Sequence, residues 1–391
     1  MISVKKALDL IVLNSSKLDK EIISIDESLG FTLATNINSK TNMPSFRQSA
    51  MDGYAVNYNE NLRNYTLIDE IPAGKNPENI FLDKGECVRI FTGAAIPKGA
   101  TSVIQQEWCE VKNNQLCFLK NIKDGLNIRP IGEQIKIGES LLTKGHLISP
   151  SSIGLLSGIG IEKITVFRKP KIGIIVTGNE LVLPGISLNE GEVYESNSYM
   201  LSAALQQFGY LNTKIYRAKD NFKNTVAKIS KALSENDVVL VSGGISVGDY
   251  DFVLKASLSL GIKELFYKVN QKPGKPIFFG KKNKKALFGL PGNPGAALTC
   301  FYIYVLRYLS LISSSDYPLK QIQVTLDKPY KKKTTRAEFI KAILTHQTAE
   351  ICNFQNSSML RSFTKANALL YINDEILELK KGEEIPAYLL L

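Results

Sequence analysis

The chain has 391 residues, of which 44% are hydrophobic and 22% are charged. These proportions are typical of a folded protein with several domains, and they exclude a disordered tail protein and a membrane bundle. Its 48 Lys and Arg against 37 Asp and Glu give a net charge of +11. That charge favours anionic partners such as phosphates, oxyanions or nucleic acid, without choosing among them.

Histidine and cysteine are scarce and widely spaced. The two histidines and five cysteines show no metal-ligand spacing such as C-x-x-C or H-E-x-x-H. We therefore predict no zinc chemistry, buried reduced thiols and a cytoplasmic location. The N-terminus has helical spacing unlike that of a signal peptide. The most apolar stretch, residues 296–312, is interrupted by Arg307 and is shorter than the roughly 20 residues of a membrane span, so no membrane segment is predicted.

In chain order, the first element predicted is a helix followed by a short strand, ending near residue 37. Residues 44–137 then show short alternating runs separated by Gly, Pro and Asn, which predict an all-β region. A linking segment up to about residue 168 combines strand and short-helix patterns. From residue 171 to about 314, continuous apolar strands alternate with amphipathic helices and predict a largely parallel, covered sheet. Short strands after residue 316 predict a small β domain.

The segment VVLVSGGISVGDYDF runs a buried strand into Ser242, Gly243 and Gly244, and then through Gly248 to a helix opened by Asp249 and Asp251. Ligands of open α/β sheets bind at the carboxyl ends of strands. The glycines there could converge their N–H groups on an anion, and the carboxylates could hold hydrated Mg²⁺. A tight turn followed by a helix cap is an equally good interpretation.

Three further segments end at the same predicted edge. IGIIVTGNELVLPG delivers Thr177, Gly178 and Glu180, where Glu180 is either a metal ligand or a surface residue. KVNQKPGKPIFFG holds Lys272 and Lys275 on a proline-flanked turn suited to clamping an oxyanion. GLPGNPGAAL places Pro291 and Gly292 before Asn293, the predicted cap of a helix whose N-terminus suits an anion.

Three anion-binding elements and two acidic ones at one sheet edge predict an enzyme that acts on a phosphorylated or nucleotide-bearing substrate with Mg²⁺. In the β region, SAMDGYAV is most simply a hairpin, because Asp52–Gly53 is a strong turn dipeptide. Thr92–Gly93 in RIFTGAAIPKGA is, by its pattern alone, an ordinary turn.

Six segments, SAMDGYAV, RIFTGAAIPKGA, IVTGNELVLPG, VSGGISVGDYDF, KPGKPIFFG and GLPGNPGAA, occur in this order between residues 49 and 297. Together they resemble the molybdopterin molybdenumtransferases, the family of bacterial MoeA proteins and the carboxyl-terminal half of gephyrin. The resemblance implies α/β and β domains in four parts. These are a helix and strand domain (1–37 and 138–168), an inserted β domain (38–137), a MogA-like α/β domain (169–315) and a C-terminal β domain (316–391).

The implied reaction joins adenylylated molybdopterin and molybdate to give the molybdenum cofactor and AMP, with Mg²⁺ required. By position, the resemblance implies catalytic roles for Asp52, Thr92, Glu180, Asp220, Asp251, Lys268, Lys272 and Lys275. Of these, Glu180, Asp220 and Asp251 are the implied metal ligands. The predicted substrate-binding residues are Thr177, Gly178, Ser242, Gly243, Gly244, Ser246, Gly248, Pro291, Gly292, Asn293, Arg336 and Ser357.

Two positions depart from the family pattern: Gln134 stands where an aspartate is expected, and Ser358 where a glycine is common. The resemblance also implies a homodimer, small anionic substrates, and a molybdopterin adenylyltransferase and molybdoenzyme maturation factors as candidate protein partners. No nucleic acid or membrane partner is predicted. The alternatives are a related MogA-like or CinA-like enzyme acting on another nucleotide or pterin, and a gephyrin-like scaffold.

Overall fold

The computed structural model describes residues 1–245 and 252–390. The chain divides into two compact units. The large unit comprises Met1–Ile22, Gly30–Thr32 and Thr165–Leu391, and the β unit comprises Ile23–Leu29 and Leu33–Ile164. The four-part division inferred from the sequence is finer than this one and stays a prediction.

The large unit is built around a largely parallel sheet, as its apolar runs predict. In spatial order the strands are Thr213–Ala218, Ile172–Thr177, Val238–Ser242, Lys285–Leu290, Phe278–Lys282 and Lys263–Tyr267. The first four run parallel, and the last two join antiparallel. The neighbouring strands Ile172–Thr177 and Val238–Ser242 are buried at every position, because helices cover both faces of the sheet.

The helices of the large unit follow the predicted amphipathic segments. They are Val4–Leu13, Asn197–Gln207, Phe222–Glu235, Phe252–Ser259, Pro294–Cys300 and Leu306–Ile312, the last two joined by the π-helical turn Phe301–Val305. Helix Phe222–Glu235 begins where the Asn221 side chain accepts a hydrogen bond from the Asn224 N–H at 2.8 Å. The continuous helical stretch Pro294–Ile312 is apolar and long enough to cross a membrane, yet 89% of it is buried. It is therefore a core helix of this unit.

The C-terminal part of the large unit is a closed β-barrel, more specific than the small β domain that the sequence predicts. Around the barrel the strands are Ala337–Thr345, Thr348–Ile351, Gln321–Leu326, Glu384–Leu389 and Ala368–Ile372, which pairs back with the first. The short strand Gln271–Lys272 joins the barrel edge in parallel with Ala337–Thr345. Strands Tyr330–Lys331 and Glu378–Leu379 form a separate pair, as do Leu181–Val182 and Val193–Tyr194.

The β unit contains a mixed sheet. Its strands lie in the order Ser102–Gln105, Gly53–Val56, Glu86–Ile90, Asn64–Ile71, Gln115–Phe118 and Cys109–Lys112. The other elements are strands Ile37–Asn38, Gln48–Ser49, Ile128–Arg129 and Ser140–Leu142, helix Pro150–Gly158, and the 3-10 turn Gln106–Trp108. Strands Lys20–Ser24, Thr32–Leu33 and Lys163–Phe167 lie where the chain passes from one unit to the other.

The hairpin predicted at Asp52–Gly53 is wrong. Strand Gln48–Ser49 pairs with Ile128–Arg129, whereas Gly53–Val56 pairs with Glu86–Ile90 and Ser102–Gln105. The backbone of Gly53 does not adopt the left-handed conformation that such a turn needs. A Cβ at Gly53 would instead lie 1.9 Å from the carbonyl oxygen of Ile104, so the glycine permits close approach of two strands.

Candidate functional site

A cleft of about 610 Å³ lies at the carboxyl ends of the parallel strands. Strands Ile172–Thr177, Val238–Ser242 and Lys285–Leu290 are neighbours that point the same way, so the turns that follow them meet there. The lining includes several of the predicted residues: Glu180, Ser242, Gly243, Gly244, Pro291, Gly292 and Asn293. The predicted residues Ser246, Gly248 and Asp251, together with Asp249, lie outside the described residues.

The glycine turn after strand Val238–Ser242 packs against Thr177. Gly243 and Gly244 have φ of +92° and +64°, and a Cβ at Gly243 would lie 2.8 Å from the Thr177 hydroxyl. The Gly243 N–H donates to the Leu290 carbonyl at 3.1 Å, so this amide is not available to an anion. The tight-turn interpretation therefore holds for Gly243. Within the described residues, the buried hydroxyl of Thr177 has no hydrogen-bond partner.

Two predicted carboxylates lie at the ends of adjacent strands. Asp220 follows strand Thr213–Ala218, and its carboxylate accepts a hydrogen bond from the Asn179 N–H at 3.2 Å. In return, the Asp220 N–H donates to the Asn179 side chain at 3.2 Å. The neighbouring Glu180 bends back towards Gly178, where a Cβ would lie 2.9 Å from both of its carboxylate oxygens. Both acids thus belong to one edge of the sheet.

These two acids suit Mg²⁺, which commonly uses one or two carboxylates together with water and substrate phosphate oxygens. No group of three or more His, Cys, Asp or Glu side chains that could hold a metal occurs in residues 1–245 and 252–390. A complete protein cage is therefore absent from the described part of the chain. The donor set fits an ion that a phosphorylated substrate helps to bind.

The predicted turn that carries Lys272 and Lys275, the lysine turn, is closely packed, but its two lysines differ in their contacts. Lys272 lies 3.5 Å from the carboxylate of Glu338, which projects from barrel strand Ala337–Thr345, while Lys275 is exposed. Gly274 has φ of +84°, and a Cβ there would lie 2.4 Å from the Cys300 sulfur. Lys268 has a left-handed φ of 66°, and its ammonium lies 4.8 Å from the ring centre of Tyr267. Among the residues of this turn, Pro276 lines the cleft.

The helix start at Asn293 is partly occupied by the barrel. Asn293 is the cap residue, as predicted, but its side chain donates to the Ser357 hydroxyl at 2.9 Å and makes no capping bond within the helix. The Ala296 N–H donates to the Ser357 carbonyl at 2.9 Å. One of the amides expected to bind an anion is therefore used to hold the loop of Ser357. Arg336, the other barrel residue predicted, donates to the Gln271 carbonyl at 3.4 Å.

In the β unit, Asp52 and Thr92 are in direct contact. One carboxylate oxygen of Asp52 accepts hydrogen bonds from the Thr92 N–H at 2.7 Å and from its hydroxyl at 2.9 Å. These two bonds, with a smaller contribution from the positive charge of Arg89, hold the pKa of Asp52 below its ordinary value. The carboxylate is exposed, and its lowered pKa favours the ionised form.

Sequence reasoning missed Asn197. This residue begins helix Asn197–Gln207 and lines the cleft, and its side-chain amide donates to the Ser242 hydroxyl and to the Gly292 carbonyl, both at 2.8 Å. It thereby joins the turns that follow two neighbouring strands. The only local indication is an asparagine at the start of an apolar-periodic helix, which is equally common at ordinary helix starts.

The thiols take no part in the cleft. Cys300 is fully buried, and burial raises the pKa of the Cys87 and Cys109 thiols to about 12. These groups stay protonated at neutral pH and are poor metal ligands. Fold and cleft together define an α/β protein with a candidate binding site at the carboxyl edge of its sheet.

Known proteins identify the family. Residues 2–160 match the MoeA N-terminal region (domain I and II), residues 173–310 a probable molybdopterin binding domain, and residues 323–390 the MoeA C-terminal region (domain IV). The molybdopterin molybdenumtransferase of Staphylococcus epidermidis is 34% identical over 385 residues, covering 95% of this chain and 91% of the relative. That of Haemophilus influenzae is 32% identical over 377 residues, covering 93% and 92%.

A solved structure of the molybdopterin biosynthesis MoeA protein from Pyrococcus horikoshii has a TM-score of 0.81 and 30% identity, and covers 100% of this chain and 99% of its own. The chain belongs to the MoeA family of molybdopterin molybdenumtransferases. Its role therefore lies in molybdenum cofactor biosynthesis, and the alternatives of a CinA-like enzyme or a scaffold are not favoured.

Proposed function

We propose that the protein inserts molybdenum from molybdate into adenylylated molybdopterin and releases AMP, and that it requires Mg²⁺. The observation that supports this best is the cleft itself, where Glu180, the glycine turn and the Pro291–Asn293 turn converge at one sheet edge. Relatives that carry this activity in their names match almost the whole chain. Both substrates are anions, in keeping with the net charge of +11.

In this proposal the turns of the cleft orient the nucleotide, and lysines gather the oxyanions. Lys268, Lys272 and Lys275 supply positive charge that offsets the repulsion between molybdate and the substrate phosphates. Glu180 and Asp220, with Asp251 from outside the described residues, would hold Mg²⁺. The bound ion would polarise the phosphoanhydride and stabilise the departing AMP. Asp52 and Thr92 keep the catalytic role that the family resemblance implies.

The test is product analysis after incubation with adenylylated molybdopterin, molybdate and Mg²⁺. AMP is measured by chromatography, and the cofactor by reconstitution of a cofactor-free molybdoenzyme. We expect both products together, and neither after Mg²⁺ is removed with a chelator. AMP release that does not depend on molybdate would point to a hydrolase and overturn the proposal.

We further propose a cytoplasmic homodimer, without nucleic acid or membrane partners. Sedimentation should then give twice the chain mass of 43.3 kDa. A molybdopterin adenylyltransferase and molybdoenzyme maturation factors are the protein partners we propose, since they would supply the substrate and receive the product. A monomer at micromolar concentration would contradict the dimer without affecting the proposed reaction.

A further inference from the structure

Glu338 is a buried carboxylate that belongs to the barrel but faces the lysine turn. Its side chain is 2% exposed. It accepts hydrogen bonds from the Tyr330 hydroxyl at 2.7 Å and the Thr334 hydroxyl at 3.2 Å, and lies 3.5 Å from the Lys272 ammonium. A carboxylate away from water is costly unless donors surround it. Here two neutral hydroxyls and the Lys272 ammonium surround the carboxylate, and the positive charge of the nearby Lys332 also acts on it.

The backbone fixes Lys272 beside this carboxylate. Strand Gln271–Lys272 pairs with the barrel so that Lys272 is opposite Glu338. Gln271 is fully buried, and its side chain accepts a hydrogen bond from the Tyr304 hydroxyl. Because Gln271 and the backbone are held in place, the flexible stem of Lys272 is the mobile part of this position.

The ion pair leaves much of the lysine charge available. Its 3.5 Å separation is longer than the roughly 2.8 Å of a strong charge-assisted hydrogen bond. The Lys272 side chain is 40% exposed, so solvent and small ligands can reach it. The carboxylate also shares its charge with two hydroxyl donors. Glu338 therefore restricts where the ammonium can be without fully neutralising it.

We propose that Glu338 is a positioning residue that holds Lys272 in the orientation that binds an oxyanion of the substrates. This inference rests on the proposed function, which assigns Lys272 to substrate binding. A lysine side chain loses conformational entropy when it binds a ligand. A fixed partner such as Glu338 restricts the side chain before binding, so less entropy is lost on binding. The barrel thus contributes to the site through a residue that does not itself touch the substrate.

The test is a double-mutant cycle on Lys272→Gln and Glu338→Gln, read as dissociation constants of molybdate and of AMP measured separately by calorimetry. For at least one of the two ligands we expect Lys272→Gln to weaken binding about tenfold and Glu338→Gln about fivefold. The double variant should bind no more weakly than Lys272→Gln alone, because Glu338 acts only through the lysine. Glu378→Gln is the matched control, since Glu378 is an exposed carboxylate beside Lys331 on the separate strand pair, and it should leave both constants unchanged.

The outcomes separate the inference from the proposed function. If Lys272→Gln alters neither constant, the assigned role of Lys272 is wrong and the inference falls with it. If Lys272→Gln weakens binding but the double variant binds about fiftyfold more weakly than the unaltered protein, the two substitutions act independently. Only the inference is then overturned. Tighter anion binding by Glu338→Gln would also overturn it, by showing that the carboxylate mainly neutralises the lysine.

Folding is checked by thermal melting of each variant. If Glu338→Gln does not melt cooperatively, the cycle is run with Glu338→Asp, which keeps the charge but moves it away from the ammonium. Binding should then be weakened less than by Lys272→Gln, and again no further in the double variant. Additive losses in this second cycle would overturn the inference.

Discussion

Each unit contains a pair of residues that are far apart in sequence but joined by a hydrogen bond, and the two pairs are brought together in different ways. In the β unit Asp52 bonds to Thr92, which lies 40 positions later, and in the large unit Asn179 bonds to Asp220, which lies 41 positions later. The second pair joins the ends of adjacent parallel strands. The first lies on loops of a mixed sheet whose neighbouring strands run in both directions.

The difference is one of regularity. A parallel sheet places every strand end at the same edge, so apolar strand patterns already indicate which loops meet. A mixed sheet with short strands has no such rule, because its pairings depend on close approaches such as that of Gly53 to Ile104. In the β unit a contact between two loops therefore depends on single residues. In the large unit such a contact follows from the direction of the strands in the sheet.

The largest effect is expected from Gly53→Ala in the β unit. The added Cβ would lie 1.9 Å from the Ile104 carbonyl oxygen, so strands must separate, and we expect a loss of about 3 kcal/mol or more in the free energy of unfolding. Urea unfolding followed by fluorescence of Trp108, the single tryptophan, reports on this unit. Gly93→Ala is the control, since Gly93 has φ of +83° with nothing within 4 Å, and should cost only about 1 kcal/mol. Equal losses would show that the approach to Ile104 is not what matters.

In the large unit, Glu180→Gln should abolish most catalysis while leaving the fold intact. A neutral amide holds Mg²⁺ poorly, and we expect turnover to fall about 100-fold, or about 2.7 kcal/mol in activation free energy. AMP release is measured at saturating Mg²⁺, with the exposed loop residue Glu190→Gln as control. Turnover near that of the unaltered protein would contradict the proposed role of Glu180 in binding Mg²⁺.

A smaller effect is expected from Asn179→Ala, which tests the strand-end pair directly. The substitution removes the side-chain acceptor of the Asp220 N–H but keeps the backbone donor to its carboxylate. We expect turnover to fall about fivefold, matching a net hydrogen-bond contribution of about 1 kcal/mol. The Mg²⁺ concentration for half-maximal rate should rise in parallel. If turnover falls while that concentration is unchanged, Asn179 serves something other than the placement of Asp220.

The smallest effect is expected from Thr92→Val on the titration of Asp52. Removing the hydroxyl leaves the Thr92 N–H bond in place, so the pKa of Asp52 should rise towards its ordinary value without reaching it. Because the folded-state pKa is lowered, the stability from this pair is present above the unfolded pKa and is lost as pH falls through the folded pKa. Carboxyl NMR titration gives the value. Thr92→Ser, which keeps the hydroxyl, should titrate like the unaltered protein, and an unchanged pKa in Thr92→Val would assign the whole shift to the backbone bond.

Much of the large unit follows from its sequence, because continuous apolar runs such as Ile172–Thr177 have few alternatives to a buried parallel strand. The meeting of Glu180 with the glycine turn then follows from strand direction. Contacts made by single polar side chains do not. Nothing in the local pattern shows that Asn197 bonds to Gly292 or that Glu338 pairs with Lys272. The dipeptide Asp52–Gly53 led to a wrong hairpin prediction, because the sequence does not distinguish a glycine needed for close approach of two strands from one needed for a turn.

The bond from the Ala296 amide to the Ser357 carbonyl bears on how this chain can change in evolution. A Cβ at Gly295 would lie 2.8 Å from that same carbonyl oxygen, so glycine and barrel loop are matched to each other. If recombination exchanged the barrel for an unrelated domain, the Ala296 amide at the start of the core helix would lose its acceptor. Gly295 would no longer be required for the close approach of the Ser357 loop. Sheet and barrel are therefore expected to be inherited together.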